Sequence, residues 1–131
     1  MLSEIKGTLL PKPPLRRLSL DLVLDYYDRP RILLERDPEG QLYLVWWSDE
    51  DGDLERWICL PLGKSRLLAI SSGAMSPREA MDNPEDGYLL AVDTDTTDTI
   101  VRAVKTTTAA FPQDALPRPE ATLIIPMPVS L

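Results

Sequence analysis

The chain contains no histidine and only one cysteine among its 131 residues. A lone cysteine cannot close an intramolecular disulfide, which fits a reducing cytoplasm. Zinc sites built from Cys and His cannot be assembled, and neither can catalytic triads that depend on His. These two scarcities exclude disulfide scaffolds, zinc-binding domains and histidine-dependent enzymes.

Long apolar runs are missing as well. Residues 1–7 lack the basic start and the apolar core of about 7–15 residues that mark a signal peptide. No apolar run approaches the roughly 20 residues of a membrane span. We therefore expect a cytoplasmic protein with no membrane association.

Acidic side chains outnumber basic ones, and the formal net charge is −7. The excess lies in the middle of the chain, because residues 37–100 carry 14 acidic and 4 basic side chains. Such a field repels phosphate backbones and attracts basic protein surfaces. The sequence thus disfavours nucleic acid and favours a protein partner or self-association.

Three apolar runs dominate Arg31–Leu62, divided by turn residues at Asp37–Gly40 and by an acidic stretch at Asp49–Asp53. Apolar runs rich in Leu, Val, Ile, Tyr and Trp, bounded by Asp, Pro and Gly, are typical of strands. The intervening turns are too short for a crossover helix. This stretch therefore predicts a three-strand antiparallel meander.

The meander is apolar on both faces. Side chains alternate between the faces of a strand, so the residues fall into two sets. One set comprises Ile32, Leu34, Leu42, Leu44, Trp46, Ile58 and Leu60. The other comprises Leu33, Tyr43, Val45, Trp47, Trp57 and Cys59. Either both faces are covered by the rest of the chain, or one of them carries a partner site.

The segment Leu18–Asp28 fits two structures. Its leucines alternate as in a half-buried strand, but Leu20, Val23, Leu24 and Tyr27 also follow helical spacing. We favour the helix and keep the strand as the alternative.

Two short helices are predicted after the meander. The first spans Ser65–Ile70, with Ser65 as its N-cap and Gly73 as the residue that stops it. The second begins at Ser76, which forms a capping box with Glu79 and is followed by a proline at the first helical position.

Three later stretches are predicted to be strands: Tyr88–Val92, Thr99–Lys105 and a short edge strand at Ala121–Ile125. The expected fold is α+β, with an antiparallel β-meander of four to five strands and two to three short helices. Residues 1–17 are expected to form an extended N-terminal arm, residues 18–110 the α+β domain, and residues 111–131 a Pro-rich C-terminal segment that includes the edge strand.

Several short motifs follow one another between Ser19 and Val92. They read Tyr26-Tyr27-Asp28-Arg29-Pro30, Gly40-Gln41-Leu42-Tyr43-Leu44, Ser48-Asp49-Glu50-Asp51-Gly52-Asp53, Arg56-Trp57-Ile58-Cys59-Leu60-Pro61, Ser65-Arg66-Leu67, Ser72-Gly73 and Asn83-Pro84-Glu85. In this order they resemble an uncharacterised bacterial family of small domains of unknown function. The resemblance covers just over half of the chain and implies no particular activity.

The acidic stretch has the alternating Asp49, Asp51 and Asp53 that open an EF-hand calcium loop. The rest of the pattern fails, because Leu54 stands where glycine is required and Leu60 where a bidentate glutamate is required. We interpret the stretch as a solvated hairpin tip and expect no metal site.

No catalytic or cofactor motif is present. Cys59 lies in a predicted strand without a histidine partner, so it is interpreted as a small core side chain. The six glycines form neither a dinucleotide-binding loop nor a P-loop. We expect no catalytic residues and no cofactor.

The candidate partner-binding residues are aromatic, apolar and acidic. They are Tyr43, Val45, Trp47, Trp57, Asp49, Glu50, Asp51 and Asp53. Tyrosine and tryptophan dominate interface energetics, although aromatic residues of a meander are also typical of a core. The sequence favours a non-catalytic protein–protein interaction or regulatory module. The alternatives are an acidic inhibitor or immunity-type partner of a basic effector protein, and a small hydrolase that uses carboxylates.

We predict that calcium does not stabilise the folded chain specifically. A ligand that binds only the folded state adds about 2.7 kcal/mol at 100 times its Kd, which a thermal melt detects readily. The measurement is the Tm with calcium against sodium chloride of equal ionic strength. A rise in Tm seen with calcium alone would contradict the prediction.

Overall fold

The computed structural model describes residues 5–9, 19–27, 29–97, 99–123 and 125, with the backbone alone for residues 9, 19–27 and 29–31. The strands are β1 Thr8–Leu9, β2 Ser19–Tyr27, β3 Arg29–Arg36, β4 Leu42–Asp51, β5 Leu54–Leu62, β6 Leu89–Thr94 and β7 Ile100–Thr106. Two α-helices lie between β5 and β6, namely α1 Lys64–Ser71 and α2 Pro77–Asp82. Two 3-10 turns follow β7, at Thr108–Ala110 and Gln113–Ala115.

All seven strands form one antiparallel sheet in the order β1-β7-β6-β5-β4-β3-β2. The strands from β2 to β7 are neighbours in chain order, as in a meander, and β1 adds to the far edge beside β7. The α+β fold is therefore confirmed and the meander is confirmed in part. The sheet exceeds the predicted four to five strands because β1 and β2 extend the five strands β3–β7 at both edges.

The helix favoured for Leu18–Asp28 is wrong, because Ser19–Tyr27 forms strand β2. The apolar spacing of this segment fits both a helix and a strand, so pairing with β3 decides between the two structures. Leu22 lies opposite Leu34 and Val23 opposite Leu33, with register shifts before and after this pair. Such bulges are common in edge strands, where they disfavour pairing with another chain.

The hairpin of β4 and β5 sorts the core into two layers. Leu44 lies opposite Leu60, and Val45 lies opposite Cys59. The helix-side layer contains Leu34, Leu42, Leu44, Ile58 and Leu60, with Ile32 and Trp46 packed against it. The second layer contains Leu33, Tyr43, Val45, Trp57 and Cys59, with Trp47 packed against it. The two faces predicted from the alternation are therefore confirmed.

Both helices and the segment after β7 cover the helix-side layer. They contribute buried side chains from Leu67, Ile70, Ala80, Met81, Phe111 and Leu116. Full burial of one large apolar side chain stabilises a fold by about 1.5–3 kcal/mol. The helices are short, so this burial rather than helix propensity holds them in place.

Helix α1 begins two residues earlier than predicted. Its N-cap is Gly63, so the prediction of Ser65 as the cap is wrong. The Gly63 N–H donates to Glu85 Oε1 at 3.0 Å, and a Cβ on Gly63 would lie 2.8 Å from the other carboxylate oxygen. A side chain at this position would therefore require the Glu85 carboxylate to shift. The predicted stop is confirmed, since Gly73 has φ +81° and donates to the Ile70 carbonyl.

Helix α2 begins where the sequence predicts. Ser76 is the N-cap, and its Oγ accepts a hydrogen bond from the Glu79 N–H at 3.1 Å. Pro77 occupies the first helical position, where its missing N–H costs nothing.

The edge strand predicted at Ala121–Ile125 does not form, because residues 121–123 and 125 have no strand structure. Part of the β7 edge is taken by β1 instead, with Thr8 opposite Lys105. Ile125 is buried in the helix-side layer, and so is Ile5 from the predicted arm. The division into arm, domain and Pro-rich segment stays a prediction.

We predict that Ser76→Ala lowers the free energy of unfolding by about 1 kcal/mol, the usual cost of losing an N-cap side chain. Denaturant unfolding measures the loss. Ser65→Ala is the matched control, since Ser65 lies exposed inside α1 and should lose almost nothing. Equal losses in the two variants would contradict the assignment of Ser76 as a cap.

Candidate functional site

Two turns of the sheet bring acidic residues to the same end. Glu55 of β5 lies opposite Thr94 of β6, which in turn lies opposite Ile100 of β7. The β4–β5 and β6–β7 turns are therefore neighbours, although some forty residues separate them in sequence. We define the acidic end as Asp49, Glu50, Asp51, Asp53, Glu55 and Asp95.

The β4–β5 hairpin holds most of these carboxylates. Its strands remain paired out to Asp51 and Leu54, so Gly52 and Asp53 form a two-residue turn. Gly52 has φ +59°, as the tight turns of two-residue hairpins require. The Glu50 N–H donates to Asp49 Oδ1 at 2.8 Å. The carboxylates thus extend from a paired hairpin rather than from a long loop.

The β6–β7 turn is organised around Asp95. Its Oδ1 accepts hydrogen bonds from the Thr97 N–H at 2.9 Å, the Thr97 hydroxyl at 2.7 Å and the Thr99 N–H at 3.0 Å. These bonds, led by the one from the Thr97 side chain, lower the pKa of Asp95. Asp95 therefore keeps its negative charge near neutral pH.

A buried ion pair lies behind the acidic end. Arg56 Nε and Nη2 donate to Asp93 Oδ1 and Oδ2 at 2.8 and 3.0 Å, and the side chains are 5% and 8% exposed. A fork of this kind satisfies both charges at once. Asp93 is therefore compensated internally and adds little to the field outside.

This pair was not predicted from the sequence. Its signal was weak but present, since Arg56 stands in an apolar strand and Asp93 directly follows another. Charges inside apolar strands are rarely buried unless they are paired.

Three of the candidate partner residues are core residues. Tyr43, Val45 and Trp57 are only 7%, 3% and 9% exposed. The Trp57 indole N–H donates to Thr94 Oγ1 at 3.2 Å. The Tyr43 hydroxyl lies 3.4 Å from Asp37 Oδ2, and burial together with this negative charge raises the pKa of Tyr43.

The other candidate residues are accessible. Trp47 is half-buried against the second layer, and Asp49, Glu50, Asp51 and Asp53 are exposed. The structure thus gathers the acidic candidates at one end and leaves Trp47 as the accessible aromatic side chain among them. That these residues bind a partner stays a prediction.

Few of the described residues could act as a nucleophile or bind a metal ion. Cys59 is buried, and burial raises the pKa of its thiol, so the thiol stays protonated at neutral pH. Within the described part of the chain, no three Cys, Asp or Glu residues are grouped so as to hold a metal ion. Among these same residues, no helix is long and apolar enough to cross a membrane.

The fold and the charge distribution define a small α+β domain that presents acidic side chains at one end of an antiparallel sheet. The chain belongs to DUF6575, a family of unknown function, whose match covers residues 7–119. The resemblance to an uncharacterised domain family is thus confirmed, and the match extends well beyond Ser19–Val92. Comparisons with curated proteins and with solved structures gave no match.

We predict that Trp57→Ala costs about 3–5 kcal/mol of folding stability, as expected for a buried aromatic residue. Trp47→Ala should cost clearly less, because its ring is half-buried. Urea unfolding of the two variants side by side gives the comparison. Similar large losses would remove Trp47 from the candidate partner surface and assign it to the core.

Proposed function

We propose that this protein is a non-catalytic protein-binding or regulatory module that recognises a basic surface through its acidic end. The observation that carries the proposal is the hairpin tip, where Asp49, Glu50, Asp51 and Asp53 are all exposed within five positions. Asp95 extends the same charged region from the neighbouring turn.

The electrostatics of the acidic end support fast recognition. Like charges held together produce a field that reaches about 8 Å at physiological salt and steers oppositely charged partners. The paired hairpin also limits the backbone entropy lost on binding. Leu54, which is 36% exposed beside the carboxylates, offers apolar contact once a partner has arrived.

The chemistry of the described residues supports a non-catalytic role. The chain has no histidine, and its single cysteine is buried. Hydrolysis by two carboxylates needs them to face each other across a substrate, about 5–10 Å apart. Asp93, the buried carboxylate, faces Arg56 instead. The hydrolase alternative therefore has less support than a binding role.

A more specific form of the proposal is an acidic inhibitor or immunity-type partner of a basic effector protein. The hairpin tip favours it, because a narrow two-residue turn bearing carboxylates can enter a basic cleft. The same negative field disfavours nucleic acid as the partner. We place the interaction in the cytoplasm, which the lone buried thiol supports.

The test compares two variants with the same change in charge. Asp49→Asn with Asp53→Asn removes two charges from the tip and keeps an acceptor for the Glu50 N–H. Glu39→Gln with Asp86→Asn removes two exposed charges at the opposite end of the sheet. Tagged full-length chains are used to recover bound proteins, and the Kd of each recovered protein is then measured.

We expect a basic partner that the tip variant binds at least tenfold more weakly, while the control variant binds like the wild type. Added salt should weaken binding to the wild type more than binding to the tip variant. The proposal fails if no recovered protein distinguishes the tip variant from the control.

A further inference from the structure

The segment after β7 is held differently from the rest of the fold. We define the strap as Thr107–Pro117, which contains both 3-10 turns. Its backbone hydrogen bonds at Ala110, Phe111, Ala115 and Leu116 are all made to carbonyls within the strap itself. The strap can therefore move away from the sheet without breaking the ladder of any strand.

Phe111, Leu116 and Pro117 are the buried residues of the strap, and Ala110 packs against the helix-side layer. Phe111 is 5% exposed and Leu116 is 6% exposed, and both belong to the helix-side layer. Pro112, Gln113 and Asp114 between them are exposed. A segment with few buried side chains and local hydrogen bonds opens at lower free energy than the sheet beneath it.

The Arg78–Asp82 ion pair of α2 makes three hydrogen bonds to the strap. Arg78 Nη2 donates to Gln113 Oε1 at 2.7 Å, and Nη1 lies 3.4 Å from the Pro117 carbonyl. Arg78 Nε also bonds Asp82 at 3.1 Å, and Asp82 Oδ1 accepts from the Thr108 hydroxyl at 2.6 Å. The Arg78 side chain is 13% exposed and the Asp82 side chain 40%, so water competes with the bonds of Asp82 more than with those of Arg78.

We propose that the strap opens as a unit and that the Arg78–Asp82 pair is the latch that keeps it closed. The latch holds the strap at both turns, through Thr108 in the first and Gln113 in the second. Opening withdraws Phe111 and Leu116 and uncovers apolar surface on the helix-side layer. The acidic end is formed by different turns, so the strap is a second, separately controlled part of the molecule.

The charge at position 108 should determine how firmly the latch stays closed. Its hydroxyl donates to Asp82, so a negative charge at this position places like charges in contact and weakens the closed state. Thr107 is the matched position, because it is exposed and adjacent in sequence and makes no side-chain hydrogen bond to the described residues.

Hydrogen exchange of the full-length chain tests the latch. In Arg78→Ala, amides of the strap should exchange at least tenfold faster, because its isolated 3-10 turns do not persist once the strap leaves the core, while amides of β4 and β5 keep their wild-type rates. The control is Arg66→Ala, which removes the same charge from α1 and a 2.6 Å bond to the Asn83 carbonyl. It should leave the exchange of the strap unchanged.

The second comparison sets Thr108→Asp against Thr107→Asp. Thr108→Asp should speed exchange of the strap selectively, and Thr107→Asp should not. The proposal is overturned if Arg78→Ala leaves the strap protected. It is also overturned if β4 and β5 accelerate as much as the strap, since the strap then opens only when the whole fold does.

Discussion

The register between β4 and β5 is the constraint on which the rest of the structure depends. Leu44 opposite Leu60 and Val45 opposite Cys59 place one apolar set on each face of the sheet. A slip of one residue would exchange the faces of every side chain in one strand. Such a slip would put either Tyr43 of β4 or Trp57 of β5 against the helices, in a layer that Leu, Ile, Met and Phe111 side chains already fill. Close packing on both faces therefore specifies the register.

The same pairing determines where the acidic residues meet. In a meander, alternate turns lie at the same end of the sheet, so the β4–β5 and β6–β7 turns are neighbours. The sequence shows the acidic excess only as a property of residues 37–100. Strand pairing places part of that excess at the acidic end, leaves Glu39 and Asp86 exposed at the opposite end, and buries Asp93, which Arg56 compensates. The field outside thus comes from the turns.

Sequence reasoning succeeded where structure is decided locally. The alternation of β4 and β5, the Ser76 cap and the Gly73 stop each depend on residues close together in the chain. It failed where distant residues decide the outcome. The apolar residues of Ser19–Tyr27 fit both helical spacing and strand alternation, and only the pairing with β3 made this segment a strand. At the start of α1, the N-cap Gly63 contacts Glu85, which lies 22 residues further along the chain.

In the candidate site, too, the features determined locally were predictable and those determined by distant residues were not. Exposure of Asp49, Glu50, Asp51 and Asp53 follows from a turn of polar residues, which the sequence indicates directly. Burial of Tyr43, Val45 and Trp57 could not be read from their own strands, because alternation gives the face of a residue and not what covers that face. The Arg56–Asp93 pair joins residues 37 positions apart, so no local pattern predicts it.

The protein combines a firmly paired sheet with a lightly held segment. The central strands pair with a neighbour on each side, and the hairpin that carries the acidic end stays paired out to Asp51 and Leu54. The backbone bonds at Ala110, Phe111, Ala115 and Leu116 stay within the strap, which is otherwise held by its buried apolar side chains and by the Arg78–Asp82 pair. Local stability follows the number of buried and paired groups, so the two parts differ in the free energy needed to move them. In the proposed module, the acidic end would therefore keep its structure while the opening strap uncovers apolar surface elsewhere.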